Sequence, residues 1–301
     1  MSTKYCPTFL SLLVLLSGLS LPGVAFGQQT AKDFFDRGVV RDAKGDWDGA
    51  IADYSKSIEL NPKHAEVYNN RGNARNSKGD WDDAIIDYNR AIELDPKFAE
   101  AYSDRGTAEM AKGDLDSAIA DFTTATVVNP TNASSYYNRG NAKGGKGDWE
   151  GAMSDFAKAI ELNPKHSKAY GNRGVAKEKR GDLDGAMSDY SKAIELNPKN
   201  ADAYNNRGNA KGNKGDFDSA IIDFTKAIEF NPRYANAYYG RGIAKKAKGD
   251  LDGAIADFTK AIDLNPNDTE ACMNRETAKK AKGDQAGGDA DNDQAAKLGG
   301  H

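Results

Sequence analysis

Cysteine is almost absent from this 301-residue chain, which holds two, Cys6 and Cys272. Cys6 falls in a segment expected to be removed, and one remaining thiol cannot form an internal disulfide. Stability must then come from packing alone. Cys272 reads as a small buried hydrophobe rather than a reactive thiol, since nothing basic beside it clearly lowers its pKa. Histidine is scarce too: His64, His166 and His301 stand in no metal-ligand spacing, so neither a metal nor a cofactor is expected. An excess of one charge is lacking. Lys plus Arg number 41 and Asp plus Glu 45, a net charge of −4, without the basic stripe of a nucleic-acid binder. A mean hydropathy of −0.73 excludes a multi-span membrane protein. Gly144-Gly-Lys-Gly147 lacks the Lys-Ser/Thr that completes a phosphate loop, and no Ser or Cys has an obvious base. An enzyme acting on a small-molecule substrate is therefore not expected.

Proline is sparse but ordered. Of nine prolines, Pro62, Pro96, Pro130, Pro164, Pro198, Pro232 and Pro266 follow one another at intervals of 34 residues. That period is the length of a helix-turn-helix solenoid repeat. Seven full units result, 31–64, 65–98, 99–132, 133–166, 167–200, 201–234 and 235–268, with a degraded eighth from Thr269. Unit two shows the logic. Its first helix carries Tyr68, Gly72 and Ala74 and ends at Gly79, a left-handed cap. Asp80 is expected to cap the second helix, with Asp82 and Asp83 at the positive end of its dipole. Trp81, Ala84, Ile85, Tyr88, Ala91 and Ile92 recur at helical spacing as an apolar stripe, and Asp95-Pro96 stops it. Glycine at position 8 of each unit and alanine at position 20 let helices approach closely, and an aromatic fills position 24. One unit cannot bury its apolar face alone, whereas a stack can.

These residues resemble the tetratricopeptide repeat (TPR) family: an aromatic at position 4, Gly at 8, Ala at 20, an aromatic at 24, Ala at 27 (Ser57 in unit one) and Pro at 32. The resemblance implies an all-α fold, a right-handed α-solenoid of tandem helix pairs. Two positions depart from the family. Position 7, usually aliphatic, is Arg, and position 11, usually aromatic, is charged, as in Arg75, Glu109, Lys143 and Lys177. The arginine has a counterpart: Arg37, Arg71, Arg105, Arg139, Arg173, Arg207, Arg241 and Arg275 match Asp53, Asp87, Asp121, Asp155, Asp189, Asp223, Asp257 and Asp291 at position 23. An ion pair joining the two helices of a unit is expected, fixing register more than adding net stability. A repeated aspartate is not a catalytic constellation.

Residues 1–27 read as a signal peptide: Lys4, an apolar run from Phe9 to Leu21, the break Pro22-Gly23, and Ala25-Phe26-Gly27 before the cut. The run falls short of the roughly 20 residues that span a bilayer. The expected destination is the periplasm of a two-membrane bacterium, or otherwise outside the cell or a secretory lumen. At the other end, 269–301 reads as a polar-faced cap and tail. Asp289, Asp291 and Asp293 look like the start of a calcium loop but lack its Gly and terminal Glu. The lysine clusters 177–180, 245–248 and 279–282 read as solvated helix faces.

In the family, first helices line a concave groove. Position 6 here is Asp36, Asn70, Asp104, Asn138, Asn172, Asn206 and Gly240, and position 9 adds Asn73, Asn141 and Asn209. This resembles the asparagine ladder of family members whose amides hold a peptide backbone; an amide both donates and accepts, so it suits an extended chain of any sequence. Two uses fit these asparagines: gripping a bound main chain, or bonding neighbouring helices. Truncating Asn138 and Asn172 together is expected to weaken peptide binding while largely sparing stability. The lysine-based clamp for chaperone tails is absent, since position 5 is never Lys. The expected function is an exported scaffold holding a partner protein or peptide segment, in a cell-envelope assembly. The alternative is a structural repeat protein that associates with its own copies.

Overall fold

The computed structural model describes residues 29–291. The expected signal peptide and most of the C-terminal tail lie outside the described residues. Fifteen helices follow one another: α1 (Ala31–Asp42), α2 (Trp47–Leu60), α3 (Ala65–Lys78), α4 (Trp81–Leu94), α5 (Ala99–Lys112), α6 (Leu115–Val128), α7 (Ala133–Gly145) and α8 (Trp149–Leu162), then α9 (Ser167–Lys179), α10 (Leu183–Leu196), α11 (Ala201–Asn213), α12 (Phe217–Phe230), α13 (Ala235–Ala247), α14 (Leu251–Leu264) and α15 (Thr269–Ala281). Helical backbone resumes over 285–291. No strand occurs among the described residues, and none of their helices is long and apolar enough to cross a membrane.

Local chemistry sets the boundaries. The glycine of every Gly-Asp pair has φ between 76° and 93°, a region L side chains avoid, so the chain reverses there. The following aspartate caps the even helix: Gly49 N–H donates to Asp46 at 3.0 Å, and Gly151 N–H to Asp148 at 2.9 Å. Asp80 departs from this expectation. Its side chain makes no cap hydrogen bond, and its carboxylate lies 3.7 Å from Lys78. The residue three positions on is Gly or Ser in the other units but Asp83 in this one. A Cβ at Gly49 would already stand 2.2 Å from the capping Asp46 Oδ2, and Asp83 adds a second carboxylate. Each even helix ends at a residue before proline, as at Asn61 (φ −142°, ψ 89°), because proline pushes its predecessor out of the helical region.

The core is a chain of small clusters, not one interior. Ala118 and Phe122 of α6 meet Ala142 of α7, all fully buried. Ala186, Tyr190 and Ala210 repeat the arrangement two units on. Gly72 explains the spacing: a Cβ there would stand 2.6 Å from the Tyr88 ring. Each buried aromatic contributes roughly 1.5–3 kcal/mol, and each belongs to a junction between adjacent units. Trp81, expected on the apolar stripe, instead stays 39% exposed at the start of α4. Cys272 is fully buried, and burial pushes its thiol pKa up.

Curvature follows from which helices touch. Every helix packs on its sequence neighbours, and each odd helix also touches the next odd one, from α1 on α3 to α13 on α15. No even helix touches another even helix among the described residues. The odd helices therefore lie on the inner radius and line the concave face.

Candidate protein-binding groove

The groove rests on an ionic frame. In all eight units the position-7 arginine grips the position-23 aspartate with two parallel hydrogen bonds. Arg139 Nε donates to Asp155 Oδ2 at 2.9 Å and its terminal nitrogen to Oδ1 at 2.6 Å; Arg275 does the same to Asp291 at 3.0 and 2.7 Å. The aspartates are 1–6% exposed, so the carboxylates have left water and depend on these partners. Asp291 is thereby committed to an ion pair, away from any calcium loop. In the seven full units the arginine lies over the position-4 ring of its own helix, Arg139 5.4 Å from the Tyr136 centroid; Arg275 has Cys272 there instead. They also reach the preceding unit: Arg71 donates to Ser55 at 3.0 Å and Arg207 to Ser191 at 3.0 Å. One side chain thus joins three helices. Arg173 lacks that third contact because the equivalent position is Ala157.

The position-11 charge is the second hand on the aspartate. Lys143 lies 2.8 Å from Asp155, Lys177 2.8 Å from Asp189, and Lys245 2.8 Å from Asp257. Unit three breaks the rule. Glu109 occupies the position, its Oε2 is buried without a hydrogen-bond partner, and burial, then the Asp121 charge, push its carboxyl up to about 7.

The lysine clusters are solvated only in part: their outer members are exposed, but most are engaged in ion pairs. Besides Lys177, Lys245 and Lys279, which pair with aspartates, Lys248 and Lys282 reach Asp218 and Asp252 of the preceding unit. Lys78–Asp48 at 2.6 Å and Lys214–Asp184 at 2.5 Å belong to the same ladder across the outer junctions.

The candidate groove residues divide among separate hollows. Asn70, Asn73, Asp104 and Asn138, from α3, α5 and α7, line one cavity of about 740 Å³. Asn172 and Asn206 line a second of about 830 Å³. Asn209 lies in a third with Tyr239, and Asn141 in a fourth against Trp149 and Phe156. Asp36 is exposed at the start of the array, 2.6 Å from Lys32 of its own helix. Several amides are already engaged. Tyr88 donates its hydroxyl to Asn73 at 2.7 Å. Asn172 donates to Asn141 at 2.7 Å and to the Tyr137 hydroxyl at 3.2 Å, so it ties unit five to unit four. These bonds give truncation of Asn172 an expected stability cost that the sequence does not reveal. Asn138 makes no side-chain hydrogen bond with another described residue.

Position 5, read in the sequence only for the absence of a lysine clamp, bonds to the next unit. Asn69 donates to Asp104 at 2.9 Å, and Asn274 to the Tyr239 hydroxyl at 3.1 Å, both 35 residues apart. The signal was a polar residue at position 5 facing another at position 6 of the next unit. Asn69 Oδ1 and Asn205 Oδ1 are buried without partners. Burial raises the Asp104 pKa, an effect partly offset by hydrogen bonds from Asn69 and Asn73. Burial lowers that of His166, whose ring lies tilted against Tyr137 with centroids 4.7 Å apart. Among the described residues no three His, Cys, Asp or Glu side chains are grouped to hold a metal.

Family models agree with this architecture. A model described as TPR repeat matches 43–76, 72–108, 106–147 and 178–215, and two described as tetratricopeptide repeat match 133–166, 201–234, 235–268 and 156–187. No curated protein matches the sequence. Among solved structures, MamA is 31% identical over 55% of this chain and 96% of its own, with a TM-score of 0.51. YrrB, described as a TPR protein with an unusual peptide-binding site, is 28% identical over 61% of this chain and 95% of its own, at 0.53. A tetratricopeptide repeat protein from Parabacteroides merdae shares the fold at 22% identity over 83% of this chain and 99% of its own, with a TM-score of 0.63. The matches run from 43 to 268, well over half of the sequence, and the chain belongs to the tetratricopeptide repeat family.

Proposed function

We propose that this chain is an exported scaffold that holds an extended segment of a partner protein along the concave face of its odd helices. The fold is that of a protein-interaction scaffold; the groove as binding site and the export are the further steps. The observation that carries the reading is the lining itself. Amides and hydroxyls from successive odd helices converge on open cavities of about 740 and 830 Å³, and the Asn138 amide in the first has no side-chain hydrogen bond with another described residue. A bound main chain would satisfy both halves of that amide. The likeness to YrrB, described as having a peptide-binding site, supports the same use. Export rests on the character of residues 1–27 and is tested by N-terminal sequencing of the protein recovered from the cell envelope.

The groove is tested by capture. The chain from residue 28 is used to pull partners from the envelope extract of its source, and the captured segment is then titrated. Asn138→Ala removes about 1 kcal/mol of hydrogen bonding, roughly fivefold in affinity. Unchanged affinity would sink the groove reading. Self-association has less support: the large apolar side chains exposed beyond 60%, Ile86, Val127 and Ile222, each sit in a different repeat.

A further inference from the structure

The two large cavities of the groove are opposite in charge. The first, between α3, α5 and α7, is lined by Glu66, Asp95, Glu100 and Asp104, with no lysine or arginine in its wall. The second, two repeats further, is lined by Lys165, Lys168 and Lys199 against the single carboxylate of Asp202. Across the outer junctions, lysines and aspartates are paired with one another. Here they are not. None of the three lysines and neither Glu100 nor Asp104 is ion-paired to another described residue, and Glu66 has only His64, 3.7 Å away.

The acidic cavity also has an unfilled polar position. Asn69 is 4% exposed and lines the cavity. Its nitrogen is spent on Asp104 at 2.9 Å, while its buried Oδ1 has no donor. Asp104 itself has amide partners and no cation among the described residues, unlike the frame aspartates, each of which has an arginine. A carboxylate and an amide oxygen side by side, both lacking a positive donor, match the several N–H groups of a guanidinium or the three of an ammonium.

We propose that the groove reads charge with a polarity: a basic side chain of the partner segment seats against Asp104 and Asn69, and acidic side chains of the same segment lie over Lys165, Lys168 and Lys199. The ligand class is thus an extended protein segment, basic at one end and acidic at the other. This rests on the groove reading above and sharpens it. Opposed cavities hold a segment in one orientation, since reversing it along the groove puts like charges together at both ends.

The test uses three synthetic peptides of about 20 residues, long enough when extended to cover both cavities. All share one composition of arginine, aspartate, serine and glycine. One has arginines first and aspartates last, one has the reverse order, and one alternates them. Binding is read by fluorescence anisotropy at about 0.05 M salt, where screening is weak. At least one segregated peptide is expected to bind about tenfold more tightly than the alternating isomer. Asp104→Asn, isosteric and still able to accept from Asn69, and Lys168→Glu, at an exposed site, are each expected to erase most of that preference. Equal binding by all three isomers, no binding by any, or a preference that survives both substitutions overturns the charge polarity. A native segment still weakened by Asn138→Ala would then leave the groove reading standing without it.

Discussion

The third and fourth repeats hold the same aspartate in the same place and give it different company. Asp155 in the fourth has Arg139 and Lys143; Asp121 in the third has Arg105 alone, with Glu109 where the second cation belongs. The helices nevertheless pack alike, with Ala118–Phe122 and Ala152–Phe156 equally buried. The bidentate arginine is the member of the frame common to both repeats, and the second cation at position 11 is not needed for the helices to pack. The third repeat is therefore expected to be the weak link of the stack, with a weakness that depends on pH.

The largest effect should come from removing the sole cation. Arg105→Ala leaves Asp121 buried beside Glu109 with nothing to offset it, and should cost about 4 kcal/mol in urea unfolding. Arg139→Ala should cost less, about 2–3 kcal/mol, because Lys143 remains on Asp155. Equal losses would show that the second cation contributes nothing. Arg139→Ala should also leave partner affinity unchanged, since the arginine belongs to the frame between helices.

Glu109→Lys makes the third repeat like the fourth and should stabilise it by about 1–2 kcal/mol at neutral pH, a figure discounted for partial exposure. The sign of the pH effect is fixed by the direction of the shift. Glu109 binds its proton more tightly folded than unfolded, with the folded value near 7 against an ordinary 4.5. Its favourable contribution is complete below 4.5 and lost as the pH rises through about 7. Melting curves across that window should slope downward for the natural chain and flatten in Glu109→Gln. Parallel slopes would place the charge elsewhere. The smallest effect concerns the outer junction between these repeats. Lys146 reaches Asp116 with both side chains exposed, so Lys146→Ala should cost no more than about 0.5 kcal/mol and less in high salt.

Much of this was legible beforehand because the sequence repeats its own experiment. A proline every 34 residues and a Gly-Asp pair between the two helices of each unit reported local backbone requirements, and local requirements survive into the fold. The Arg–Asp pair could be read because both members recur in the same unit. Contacts between units were harder. The lysine clusters looked solvated because Lys248 and Asp218 lie 30 residues apart and meet only when one unit stacks on the next. Asn172 looked available for a ligand because its partners, Tyr137 and Asn141, belong to the previous repeat. Trp81 kept helical register yet stayed exposed, since register gives the face of a helix but not how far the neighbour covers it.

Sequence alone determined the repeat, its helix boundaries, its close-packed glycines and the ionic frame, because each depends on chemistry within one unit. Tertiary structure alone decided which polar groups remain unsatisfied. Whether Asn69 has a partner, whether Asp104 has a cation, and whether four carboxylates share one cavity depend on how units rotate onto one another. That rotation comes from packing between repeats, and it turns a string of similar units into a groove with two unlike ends.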